Sequence, residues 1–149
     1  MLTEDVCVPR SAVPAMLEQV AKIGARHGVQ IATIAHAGDG NLHPLIITPA
    51  GDDEARAAAQ AAFDELLSEA IAVGGTVTGE HGVGVEKLNS MCVQFSPAER
   101  AQFLGVKSAF DPLELLNPGK VIPTLHRCAE YGKMHVHRGM MPFPDLPRF

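Results

Sequence analysis

The stretch VQIATIAHAGDGNLHPLIITP, residues 29–49, constrains the fold more than any other segment. Two β-rich apolar runs, 29–37 and 42–49, flank the turn-forming residues Gly38, Asp39, Gly40 and Asn41. Branched side chains favour extended backbone, glycine reaches positive φ without steric cost, and Asp and Asn tolerate turn conformations. The segment therefore reads as an antiparallel hairpin. Its first strand, nearly continuous in apolar residues, is expected to be central in the sheet. His36 and His43 stand on the two shoulders of the loop. Residues at the ends of such a loop are cross-strand neighbours about 5 Å apart, so both imidazoles are expected to aim at one point.

Helices and a further strand are expected around this hairpin. EDVCVP (4–9) reads as a short strand closed by Pro9. Ser11 is the expected N-cap of a helix over about 12–27, with Met16, Leu17, Val20 and Ile23 as its apolar stripe and Gly28 at its end. Asp52 or Asp53 opens a second helix carrying Phe63, Leu66, Leu67, Ala70 and Ile71, which Gly74 and Gly75 terminate. GGTVTGEHGVG (74–84) reads as a strand followed by a glycine-rich loop. Ser96, Pro97 and Glu99 form a capping box that opens a helix running to about Phe110. Pro112, Pro118, Gly119 and Pro123 punctuate the next segment, and 124–149 shows no period. The order β-α-β-β-α-β-α predicts an α+β fold: an antiparallel sheet with helices on one face, a ferredoxin-like arrangement. The first domain would span 1–123, with 124–149 as an extended C-terminal arm.

Composition narrows the function. A chain of 149 residues with 46% hydrophobic and 19% charged residues suits one packed domain. Aromatics are 5% and Trp is absent, so Ala, Val, Leu and Ile must supply most of the core. A net charge of −5, with no basic cluster interleaved with aromatics, argues against nucleic acid as a partner. No apolar window is long enough for a membrane span, and the first residues lack the pattern of a signal peptide. Cys7, Cys92 and Cys128 are widely spaced, with no CxxC pair. They are expected to be free thiols in a reducing compartment, with the cytoplasm as the default location.

Two histidines flanking a turn suit a metal that accepts imidazole, such as zinc, iron or manganese, but such a pair is more often made of surface or hydrogen-bonded residues than of ligands. The loop TGEHGVG adds Glu80 and His81 between Gly79 and Gly82. Glu80 as third ligand would give a His2Glu set with an open position, the catalytic arrangement; as a cap or ion-pair partner it would be merely structural. Neighbours in an extended loop face different ways, which would leave His81 free to act on a substrate. His135 and His137 form H-x-H but have no third ligand near in sequence, so a surface role is expected for them.

HAGDGNLHPLI, GGTVTGEHGVGVEKL and LLNPGKVIP, in this order, resemble the C-terminal part of the FAD-linked oxidases of the vanillyl-alcohol oxidase type. The likeness is strongest to the branch oxidising D-lactate, D-2-hydroxyglutarate and glycolate. The tail LHRCAEYGKMHVHRGMMPFPDLPRF is similar to the end of the FAD-binding subunit of glycolate oxidases.

The resemblance implies a 2-hydroxy-acid oxidoreductase using FAD and a divalent metal, zinc first, with iron or manganese as alternatives. It assigns His36, His43 and Glu80 as metal ligands and His81 as the catalytic base. Asn117 and Lys120 are implied cofactor-proximal residues. Leu45 stands where hydroxyglutarate enzymes carry a polar Asn, which favours a smaller acid such as glycolate or lactate. The family's N-terminal FAD-binding domain has no counterpart here, so the chain is expected to behave as a fragment and to be inactive alone. Further implied partners are that FAD-binding domain and an iron–sulfur subunit docking on 124–149. Such partners would hold the protein peripherally at the inner membrane. Apolar surface left uncovered would also favour a homo-oligomer. A non-catalytic metal-binding α+β domain, for assembly or regulation, is the reading from a different class.

Overall fold

The computed structural model describes residues 1–123. The elements run β1 (Leu2–Thr3), β2 (Val6–Cys7), α1 (Val13–His27), β3 (Gln30–His36), β4 (Asn41–Ile47), α2 (Asp53–Ala72), α3 (Leu88–Gln94) and α4 (Pro97–Phe110). They fall into two compact units, Met1–Val83 and a second from Gly84 onward.

In the first unit all strand pairs are antiparallel, and β4 is the strand bonded on both edges. One edge carries β3. Along the other lie β1 and then β2, as Leu2 opposes Ile46 and Val6 opposes Leu42. Cys7 in turn bridges Thr76. With β1 and β2 counted as one interrupted strand, this is the expected ferredoxin-like order. The α+β expectation holds, with helices α1 and α2 packed on each other and on the sheet.

Which face carries the helices follows from the pleat. An added Cβ on Gly24 of α1 would meet the Ile31 side chain at 3.4 Å, so Ile31 faces α1. Its cross-strand partner Ile46 shares that face, and Leu42 lies on it too, at the period of two. Val6, Met16, Ile23, Leu42, Ile46, Phe63, Leu66 and Leu67 are almost wholly buried there. Burying each such side chain contributes about 1.5–3 kcal/mol. Asn41, His43 and Leu45 alternate onto the opposite face.

Several expectations need correction. The run 29–37 forms an edge strand, because among the described residues β3 pairs with β4 alone. Its apolar residues are largely exposed, Ile34 among them. The expected strand at 4–9 is split at Glu4 and Asp5, and the one expected after Gly75 is a single bridge at Thr76. Ser11 does not cap α1. Pro9 instead starts a 3-10 turn, in which the Ala12 N–H donates to the Pro9 carbonyl at 2.7 Å, and the helix begins at Val13. Leu17 of the expected stripe is exposed, whereas Gly28 ends α1 in the left-handed conformation as anticipated. Asp52 caps α2 through the Ala55 N–H.

In the second unit, Ser96 and Glu99 form the expected capping box at the start of α4. Arg100 donates to the Cys92 and Phe95 carbonyls, and Lys107 pairs with Asp111, whose carboxylate accepts from the Leu115 and Leu116 N–H groups. The short helix α3 was not expected. Cys7 is a free thiol, but Cys92 is disulfide-bonded, so the expectation of three free thiols fails there. Cys128, His135, His137 and the expected arm 124–149 lie outside the described residues.

Gly40 has φ +77°, and a Cβ there would lie 2.0 Å from the Val8 carbonyl oxygen. Gly40→Ala is therefore expected to destabilise the protein by well over about 1 kcal/mol, measured by denaturant unfolding; a wild-type midpoint would contradict the close approach. Hydrogen bonds from the Ser96 hydroxyl and then its N–H hold the Glu99 carboxyl below the usual carboxylate range. A carboxyl depressed by folding stabilises the fold above its unfolded-state pKa, and loses that contribution as pH falls through its folded-state value. Protection factors of amides in the first turn of α4, taken against the intrinsic exchange rate at each pH, should thus fall on acidification, and less so in Glu99→Gln.

Candidate metal centre

The hairpin loop places its two histidines differently from the simplest expectation. His36 pairs with Asn41 and His43 pairs with Ile34, so the two are diagonal rather than directly opposite. Diagonal residues still share a face, and long side chains bridge the gap. The rings sit 5.2 Å apart, edge to face. His43 is buried and His36 is exposed.

Glu80 arrives from the glycine-rich loop. Its Oε1 lies 3.1 Å from His43 Nε2 and 3.7 Å from His36 Nε2. One ligand atom from each of the three residues falls within 4.8 Å of the others. Two ligands held about 2.1 Å from a single ion at tetrahedral or octahedral angles lie roughly 3.0–3.5 Å apart. The two Glu80 separations fall inside that range or just beyond it, while the set as a whole spreads to 4.8 Å, so the three donors could share a divalent cation only if the exposed His36 ring swings inward. Nitrogen and carboxylate donors suit zinc, and also iron or manganese.

His81 does not turn away, contrary to the alternation expected of an extended loop. Its Nε2 is 3.8 Å from Glu80 Oε1, its ring is 5.0 Å from that of His43, and its Nδ1 is 4.0 Å from Asp5 Oδ1. The loop is curled instead. Asp5 is wholly buried, and its Oδ2 accepts the N–H groups of Gly79, Glu80 and His81 at 2.6, 2.6 and 3.1 Å. The Thr78 hydroxyl lies 3.1 Å from both Asp5 oxygens.

Asn41 completes the near wall. Its Nδ2 is 3.4 Å from His43 Nε2, while its buried Oδ1 has no hydrogen-bond partner among the described residues. A Cβ at Gly79 would lie 2.2 Å from that oxygen, which is why the loop requires glycine there. Cys7, His36, Asp39, Asn41, Gly79 and Glu80 line an open cleft of about 250 Å³ beside these groups.

Sequence reasoning missed Asp5 and took Asn41 for a turn residue only. An acid inside a short apolar strand was the available sign for the first. Asn117 and Lys120 belong to the second unit, where the Lys120 ammonium lies 3.3 Å from Asn117 Oδ1 on exposed surface.

Comparison with known proteins places this geometry. The family model described as FAD linked oxidases, C-terminal domain, matches residues 1–121. The chain belongs to that family. It is 50% identical over 145 residues to the glycolate oxidase subunit GlcD of Escherichia coli K12, covering 97% of this chain and 29% of that relative. The GlcD subunit of Bacillus subtilis is 39% identical over 80% of this chain and 26% of its own length. A mitochondrial D-lactate dehydrogenase (cytochrome) of Arabidopsis thaliana is 34% identical over 83% of this chain and 22% of its own. The chain thus spans under a third of the length of these relatives. Among the described residues, no helix is long and apolar enough to cross a membrane.

Gly79 and Gly82 give a contrast that tests the loop. Gly79→Ala must displace Asn41 or the loop, whereas Gly82, at φ +82° with open space around it, would incur only backbone strain. Thermal unfolding should show Gly82→Ala costing about 1–3 kcal/mol and Gly79→Ala more. The reverse order would contradict the packing of Gly79 on Asn41.

Proposed function

We propose that this chain is the substrate- and metal-binding portion of an FAD-dependent 2-hydroxy-acid dehydrogenase acting on glycolate or D-lactate. The observation that carries the reading is the convergence of His36, His43 and Glu80 from two distant segments, with His81 beside them. Relatives named glycolate oxidase subunit and D-lactate dehydrogenase supply the substrate class.

His36, His43 and Glu80 would hold the metal, with zinc favoured by the donor set. When bound, the ion supplies Lewis-acid polarisation of the substrate hydroxyl and an anchor for its carboxylate. FAD, held mainly by a separate domain with Asn117 and Lys120 as nearby contacts, supplies the hydride acceptor. His81 Nε2 takes the hydroxyl proton as the C2–H bond is broken and the C2–O bond becomes a carbonyl; imidazole suits that task at neutral pH. Leu45, two residues from His43 on the same strand face, limits the acid to a small one. Residues 1–123 would form the substrate and metal domain, and 124–149 the docking arm for a partner subunit.

The test supplies the FAD-binding portion in trans and follows glycolate and D-lactate oxidation with a dye acceptor. His81→Ala should lower turnover by about 10²-fold or more while metal content stays unchanged. His43→Ala should lose both metal and turnover. Unchanged activity of His81→Ala in an FAD-loaded complex would refute its role as base. Full activity in a metal-free complex would instead favour the non-catalytic reading of the histidine cluster.

A further inference from the structure

We propose that Asp5 is the positioning residue of this centre: its buried carboxylate sets where Glu80 and His81 point, and its charge adds to that of Glu80 in drawing a divalent cation. The inference rests on the proposed metal site. Asp5 lies in the gap between β1 and β2, next to the loop end of β4, where Val6 opposes Leu42. Three consecutive amides, at 79, 80 and 81, converge on its Oδ2.

In extended backbone successive N–H groups point to opposite sides, so they cannot share an acceptor. Convergence requires the chain to curl around the anion as a nest. The side chains of a curled segment fan outward together. That explains why Glu80 and His81 both reach the cluster rather than alternating away from each other. The Thr78 hydroxyl donates to the same carboxylate and accepts the Gly82 N–H at 2.9 Å, closing the curl at its other end.

A carboxylate is specifically required. Burying one is costly unless it is well satisfied, and here at least four donors surround it. Asparagine offers a single acceptor oxygen, and its NH2 group would confront amide donors. A leucine would leave three part-buried N–H groups without this acceptor. The leverage of Asp5 on the metal ligands is exerted through the loop it gathers. Outer groups of this kind orient ligands and typically govern about 10–100-fold in metal affinity.

The experiment titrates the full chain with Zn2+ against a chromophoric chelator, well below the melting temperature. Wild type is compared with Asp5→Asn, Thr78→Ala, Glu80→Gln and Phe63→Leu, and metal-free melting is recorded for each. Asp5→Asn should bind Zn2+ about 10–100-fold more weakly, and Thr78→Ala severalfold more weakly. Phe63→Leu, in the core of α2, should lower the melting temperature without moving the affinity, which separates positioning from general stability. If Asp5→Asn does not fold, Thr78→Ala decides, and wild-type affinity in it overturns the inference. Wild-type affinity in Asp5→Asn beside a large loss in Glu80→Gln overturns this inference alone. Absence of Zn2+ binding by wild type overturns the metal reading and this inference with it.

Discussion

Strand β4 is hydrogen-bonded along both edges, and its pleat divides the first unit into a packed side and a chemical side. Leu42 and Ile46 point toward the helices, where burial fixes the register. A slip of one residue would drive Asn41 and His43 into that core and expose the two apolar side chains, at a cost of several kcal/mol. The position of His43 is therefore set by hydrophobic packing on the other face of the same strand. The position of His36 is set with it, because the register of the hairpin is locked to β4.

The third member of the cluster is delivered by a different kind of force. Glu80 lies in a loop anchored at either side by the buried Val77 and Val83, and between those anchors hydrogen bonds determine its path. Asp5 gathers the loop's amides, Thr76 is tied to Cys7 by backbone hydrogen bonds in both directions, and Gly79 lets the backbone approach Asn41. Two carboxylates and three imidazoles are thereby brought into one small region. Such a concentration of lone pairs and negative charge favours a cation, and the buried Asn41 oxygen beside it, without a partner among the described residues, adds a further polar atom in need of a donor.

Much of this was legible in the sequence where local chemistry decides local structure. The hairpin, the Asp52 cap, the capping box at Ser96 and the left-handed Gly28 each arise from residues within a few positions of one another. The grouping of His36, His43 and Glu80 was legible too, through the resemblance of the motifs. The features that escaped were set by distant contacts. Whether β3 or β4 is central depends on where β1 and β2 pair, which apolar content cannot reveal. The orientation of His81 depends on Asp5, seventy-six residues away in the chain. Ser11 was a reasonable cap whose role was pre-empted by the turn that Pro9 initiates.

The proposed function depends on one claim: that a hairpin and a remote loop together hold a single metal ion through two imidazoles and a carboxylate. X-ray absorption spectroscopy of the zinc-loaded chain tests it most directly. The expected spectrum shows a first shell of nitrogen and oxygen only, at about 2.0–2.2 Å, with outer-shell scattering from two imidazoles that falls to one in His36→Ala. A shell containing sulfur, or one with no imidazole scattering, would contradict the claim.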